Sequence, residues 1–171
     1  MYVPPQSVLA SLSLAGNWTV DWIWGLPLIV VNVVIHVLCL GFINQRALRL
    51  SGRIQPRLHP TGTFALIIGS STLLAACLHG VEAGVWALAY RILGALPDDK
   101  SAILYSLNAI TSFGHTGLDL TGHWQLMGAM EALNGWLLFG LTTAFLFSMI
   151  DKIPVGRRVD ELLVAAARVH E

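Results

Sequence analysis

The chain has 171 residues, 55% of them hydrophobic and 12% charged, with a mean hydropathy of +0.67 and a formal net charge of zero. A soluble domain carries about 25% charge, so this composition cannot cover a water-facing surface and points to a chain solvated largely by lipid. Zero net charge removes the electrostatic case for nucleic acid. The two cysteines, Cys39 and Cys77, lie in apolar runs with no second pair nearby, which reads as buried free thiols and not as a disulfide or a zinc site.

Charged residues are missing from Trp22 to Gln45, from Leu58 to Val81 and from Ala132 to Ile150. Each run is close to the ~20 residues that a helix needs to cross a ~30 Å hydrocarbon core. The expected class is therefore an all-α membrane protein with three transmembrane helices. Residues 1–24 form an N-terminal segment with no Lys or Arg, so the basic region of a signal peptide is absent and the first run is expected to be retained. Residues 25–60 hold the first helix and a basic loop; the helix is expected to start near Pro27, a good first-turn residue, and to run to about Asn44. The second helix is expected from Thr61, continuing towards Leu96. At ~1.5 Å per residue that is about 50 Å, so it must either project from the membrane or break near Gly80 or Gly84. The third is expected over 124–150, and residues 151–171 form a tail in which 160–169 has the pattern of a short amphipathic helix.

Of the ten lysines and arginines, all but Arg91 and Lys100 fall in the first loop (Arg46, Arg49, Arg53, Arg57) or the tail (Lys152, Arg157, Arg158, Arg168). The excess of basic residues places both segments in the cytoplasm, with the N-terminus and the region between the second and third helices outside, in the plasma (cell inner) membrane. Trp18, Trp22, Trp24, Trp86, Tyr90 and Trp124 fall at the expected outer ends, where interfacial aromatics collect.

Between the second and third helices lies LPDDKSAILYSLNAITSFGHTGLDLTGHW. Pro97, Asp98 and Asp99 make a helix start, since proline suits the first turn and acids favour the positive end of the dipole. The residues that follow are apolar but too few to span, which predicts a short re-entrant helix over 98–112. The loop 111–120 must then lie against protein or a water-filled cavity, and Gly114 and Gly117 allow it backbone angles that side chains resist. A helix ending inside the membrane turns its negative end towards a cation there.

Helix, short helix, glycine-bearing loop and helix resembles the pore domain of potassium-channel-type ion channels, with residues 61–150 covered and the first helix an addition. Thr111, Ser112, Phe113, Gly114 and His115 are similar in order to the start of the family's Thr-Thr-x-Gly-Tyr-Gly-Asp filter, and MEALNGWLLFGLTTAFLF resembles its inner helix, with Gly135 and Gly140 as possible hinges. The resemblance implies a homotetramer in which residues 111–119 line a pore for a small inorganic ion. The chain departs from the pattern where selectivity is decided. His115 replaces the aromatic Tyr, and Thr116 and Leu118 separate Gly114, Gly117 and Asp119, which breaks the spacing needed to stack carbonyl rings. The expected activity is passage of a small cation with poor potassium selectivity. The alternatives are a non-conducting membrane scaffold or partner subunit, or a channel for protons, ammonium or an anion.

Glu131 is the one acid from Leu120 to Ile150. Acids inside a membrane face the protein interior with a partner, so it reads either as a brace behind the filter, paired with His115, Thr116 or a loop amide, or as a protonated acid in a helix contact. Asn134, one turn on, would share that network or line the cavity, where Thr142 and Thr143 could also face. His79 with Glu82 offers too few ligands for a metal and reads as a hydrogen-bonding pair, and His36 with Asn32 reads as bonding between helices. Gly69, Ser70, Ser71, Ala75 and Ala76 suit close helix packing. His115 is either a pH sensor or a neutral histidine behind the filter. No Walker loop, nucleophile motif or second acid beside Glu131 suggests an enzyme, and no cofactor is implied. Orientation is testable by cysteine labelling in a chain with Cys39 and Cys77 replaced by serine. Arg53→Cys and Arg157→Cys should react with an impermeant thiol reagent only from the cytoplasmic side, and Pro5→Cys only from outside. Labelling of position 157 from outside would overturn the orientation.

Overall fold

The computed structural model describes residues 6–54, 60–114, 117–121 and 124–152, with backbone alone for 6–17, 51–54 and 60. Four helices account for most of them: α1 (Gln6–Ile54), α2 (Pro60–Ile92), α3 (Asp99–Ile110) and α4 (Gln125–Lys152), and no strand occurs among the described residues. Three segments are long and apolar enough to cross a membrane, Trp18–Leu50, Thr61–Ile92 and Gln125–Lys152, with mean hydropathies of 2.6, 1.8 and 1.6. The shortest has 28 residues, a rise of roughly 42 Å at ~1.5 Å per residue. Only 22–28% of each apolar window is buried inside the protein. Helices apolar on every side and mostly uncovered by protein are what a lipid solvent requires, and the chain is compatible with a multi-pass membrane protein.

Helix boundaries depart from the sequence expectation in instructive ways. Pro27 lies inside α1, which begins at Gln6 instead of near the proline. A proline removes one N–H and one carbonyl partner, a small defect in a helix of 49 residues. α2 runs unbroken through Gly80 and Gly84 and stops at Ile92, short of Leu96. It stops because Gly94 takes φ +65°. The amide of Gly94 then bonds the Arg91 carbonyl (3.2 Å) and that of Ala95 the Tyr90 carbonyl (2.9 Å), a Schellman closure that satisfies the last carbonyls. The Arg91 guanidinium fastens the turn, donating from Nη1 to the Leu96 carbonyl (2.8 Å) and from Nε to Asp99 Oδ1 (2.6 Å).

α3 starts at Asp99, one residue after the expected 98, and Pro97 precedes it instead of standing in its first turn. Asp98 is the N-cap, accepting from the Ser101 amide (2.9 Å) and hydroxyl (2.7 Å), and these bonds, the amide first, hold its carboxyl below its ordinary value. The helix ends at Ile110, two residues before the expected 112. Ser112 has φ +54°, its amide bonds the Ala109 carbonyl (2.9 Å) and the Phe113 amide bonds the Asn108 carbonyl (3.0 Å). This is a second Schellman closure, with serine in the left-handed position where glycine is usual.

The described chain falls into two compact units. In the first, Met1–Ile35 with Gly80–Leu138, the core is Trp86 and Tyr90 of α2, Ala102, Tyr105 and Ala109 of α3, Leu120 and Trp124 ahead of α4, and Met127 and Met130 in its first turns, with Leu28 and Ile29 of α1 against it. Trp86, Tyr90 and Trp124 therefore form the interior of this unit instead of an aromatic belt, whereas Trp18, Trp22 and Trp24 are exposed. α3 and α4 approach closely because Gly128 and Gly135 face α3. A Cβ at Gly128 would run into the Tyr105 hydroxyl, and one at Gly135 into the Ile110 carbonyl oxygen, 2.8 Å from its carbon. Gly135 thus serves a packing contact, and Gly140 has open space around it.

In the second unit, His36–His79 with Phe139–Glu171, Ala47, Ile67 and Met149 form the core with Phe64, Ile68 and Phe145 around it. Ser71 and Ala75 are buried and Gly69, Ser70 and Ala76 are exposed, so only part of the small-residue stripe serves packing. Cys77 is exposed and Cys39 half-buried, both free, which corrects the expectation of buried thiols; cysteine is apolar enough to face lipid as readily as core. The segment 160–169 lies outside the described residues. Gly135→Ala should destabilise the protein by about 1–3 kcal/mol, because a rigid backbone carbonyl cannot yield to the added methyl. Gly140→Ala should be neutral or mildly stabilising, and thermal unfolding in detergent compares the two. Equal melting temperatures for both variants would show that α3 is not packed against Gly135.

Candidate functional site

The loop after α3 and the buried groups behind it form the candidate site, all within the first unit. Thr111 caps α3 and its hydroxyl donates to the Leu107 carbonyl (2.6 Å). Ser112, Gly114 and Gly117 all have positive φ, at 54°, 91° and 79°. Thr111 to Gly114 are exposed, with the Phe113 ring 85% accessible. His115 and Thr116 lie outside the described residues. The half-buried Leu118 packs its side chain against the core, Leu120 is buried, and Asp119 is exposed. The loop is fastened at both ends. The Trp136 indole donates to the Ser112 hydroxyl (2.9 Å), and the Thr121 amide bonds the Ala95 carbonyl (3.4 Å). Between loop and α4 lies an open cavity of about 330 Å³, walled by Asn108, Ser112 and Gly114 on one side and Gly128, Ala129 and Ala132 on the other. At ~30 Å³ per water, several waters fit there.

Behind the loop, Glu131 is fully buried and bonded to two other helices. Its Oε2 accepts from the Tyr90 hydroxyl of α2 (2.8 Å), and its Oε1 is in contact with the Ser106 hydroxyl of α3. Ser106 also reaches the Ala83 carbonyl of α2 (2.6 Å). Glu131 is thus tied to the short helix itself and to α2; the loop partners His115 and Thr116 are not among the described residues. Asn134 does not share this network. The Asn134 amide, buried one turn on, has no hydrogen-bond partner among the described residues. Being buried, it does not line an open cavity either.

The other intramembrane polar groups separate from this site. Thr142 in the second unit lies between two imidazoles, 3.0 Å from His36 Nε2 and 3.1 Å from His79 Nε2, and His79 stacks on Phe139 with ring centroids 4.5 Å apart. His36 therefore does bond between helices, but through Thr142; the amide of Asn32, buried in the first unit, has no hydrogen-bond partner among the described residues. Thr143 is exposed and bonds its own helix at Phe139 (2.8 Å).

Sequence reasoning missed Tyr90, Ser106, Trp136 and Gly128. Ser106 was visible as a small hydroxyl in the apolar run of α3, whereas nothing in the sequence distinguishes Tyr90 from an interfacial tyrosine. No protein-family model, curated protein or solved structure matches the chain.

Removing a hydroxyl from the network strands whatever it served, at about 1–3 kcal/mol for each buried group left unmade. Ser106→Ala removes the contact to both Ala83 and Glu131, and Tyr90→Phe only one contact. The first should therefore lower thermal stability more than the second. Wild-type stability in both variants would show that the network supports nothing.

Proposed function

We propose that this protein is a pore-loop ion channel that passes a small cation with poor potassium selectivity, assembled as a homotetramer in the plasma (cell inner) membrane with the N-terminus outside and the C-terminus in the cytoplasm. The observation that carries the reading is the chain path after α3. A helix too short to span ends in a left-handed serine, and positive φ recurs at Gly114 and Gly117 in an exposed loop that is anchored by Trp136 on one side and the core on the other. Such a path supports exposed backbone carbonyls on a rigid base, the element from which selective filters are made. The end of α3 contributes about half a negative charge towards a cation in front of it. One loop cannot enclose an axial path, so several copies must surround it, and four is the number that the resemblance to potassium-channel pores implies.

Poor selectivity follows from spacing. Gly114 and Gly117 are separated by two residues, and the half-buried Leu118 packs against the core. A stack of evenly spaced carbonyl rings does not fit that path.

The exposed Phe113 ring favours a second reading, a non-conducting scaffold that keeps the fold. A large apolar side chain standing clear of the loop suits a protein contact as well as a filter rim. Purified protein in liposomes separates the two. The channel reading expects potassium and sodium flux with a reversal potential near zero when one cation faces the other. Strong potassium selectivity would overturn the account of the loop spacing, and absence of any cation flux from correctly inserted protein would favour the scaffold.

A further inference from the structure

Three oxygen–oxygen contacts join α2, α3 and α4 in the first unit: Tyr90 to Glu131, Glu131 to Ser106, and Ser106 to the Ala83 carbonyl. Each close pair of oxygens needs one hydrogen between them, since facing lone pairs repel. Tyr90 brings one hydrogen and Ser106 brings one. A backbone carbonyl brings none, and neither does an ionised carboxylate. Two hydrogens cannot fill three contacts.

The geometry points to Glu131 as a proton-binding site, with the carboxylic acid supplying the third hydrogen. Glu131 Oε1 then donates to Ser106, Ser106 donates to the Ala83 carbonyl, and Glu131 Oε2 accepts from Tyr90. Every contact is filled once. The surroundings agree. The two side chains bonded to this carboxyl, Ser106 and Tyr90, are both uncharged, and among the described residues no ion pair reaches Glu131. No cation therefore offsets an ionised Glu131 in a dry interior. The titratable groups around it are Tyr90 on α2; Tyr105 on α3, whose ring meets Tyr90 edge-on with centroids 5.4 Å apart; Asp21 on α1, which acts on Tyr90; and Asp119 in the loop, which acts on Tyr105.

The bound proton is a structural part of the fold. If it leaves for water, the single hydrogen of Ser106 must serve either the carboxylate or the Ala83 carbonyl. Turned to the carboxylate, it releases α3 from α2 at that point. The site stands on the hydrogen count alone and does not depend on the channel reading.

Infrared difference spectroscopy of the full chain in detergent at neutral pH tests it. Wild type minus Glu131→Gln should show a protonated-carboxyl C=O stretching band that the variant lacks. Glutamine keeps an acceptor for Tyr90 and a donor for Ser106, so it should fold. A difference spectrum holding only ionised-carboxylate bands would overturn the proposal. Ser106→Ala gives a second reading that needs no Glu131 variant. Losing the acceptor of the Glu131 hydrogen should move the same band to higher frequency, and an unmoved band would overturn the assignment equally. Neither measurement involves ion flux, so the proton site and the channel reading can fail separately.

Discussion

Ser106 is the point through which the short helix is held. Its hydroxyl touches the Ala83 carbonyl of α2 and the Glu131 carboxyl of α4, and Glu131 returns to α2 through Tyr90. In a lipid-solvated protein the apolar effect between helices is weak, because lipid tails are as apolar as leucine, and association leans on close packing and hydrogen bonds. α3 has 12 residues and could not hold its position by burial alone. The buried hydroxyls and the carboxyl supply the direction that apolar contacts lack.

Close packing does the rest. Gly128 and Gly135 remove the side chains that would separate α4 from α3, so that the backbone of one helix comes against the side chains and carbonyls of the other. Glu131 lies between these two glycines on α4, and the short interaxial distance that they permit is what lets a side chain of its length reach Ser106. Tyr105 and Trp86 then meet the phenol of Tyr90 from α3 and α2, which closes the network in a shell of aromatic rings.

Two Schellman closures aim the segment that follows. The first, at Gly94, ends α2 and turns the chain towards the Asp98 cap; the second, at Ser112, ends α3 and turns it into the loop. A left-handed serine costs roughly 1 kcal/mol more than glycine would, and here the Trp136 indole bonds its side chain and holds it in place. Strain kept at one exposed turn beside an open cavity is consistent with a segment shaped for what it meets there.

By itself the sequence determined the class and the order of elements. Runs of uncharged apolar residues are a one-dimensional property, and the length that crosses a bilayer is fixed by helix rise, so three long helices and a shorter one between them were legible from the chain alone. A helix start near Asp98 and Asp99 and the inward-facing Glu131 were legible too, because an acid at a given position carries its own physical consequence. Tertiary structure decided where helices end and what each polar group touches. Gly94 and Ser112 end helices only because the chain beyond them folds back to bond the last carbonyls. Trp86, Tyr90 and Trp124 became core while Trp18, Trp22 and Trp24 stayed outside, although all six occupy similar positions along the chain. In an apolar solvent an aromatic ring is about as well placed on either side, so sequence cannot decide between them. Partner choice follows the same rule: Glu131 found Ser106 and Tyr90, from helices 25 and 41 residues away along the chain, because close approach at Gly128 and Gly135 brings those hydroxyls within reach, and that distance exists only once the helices are packed.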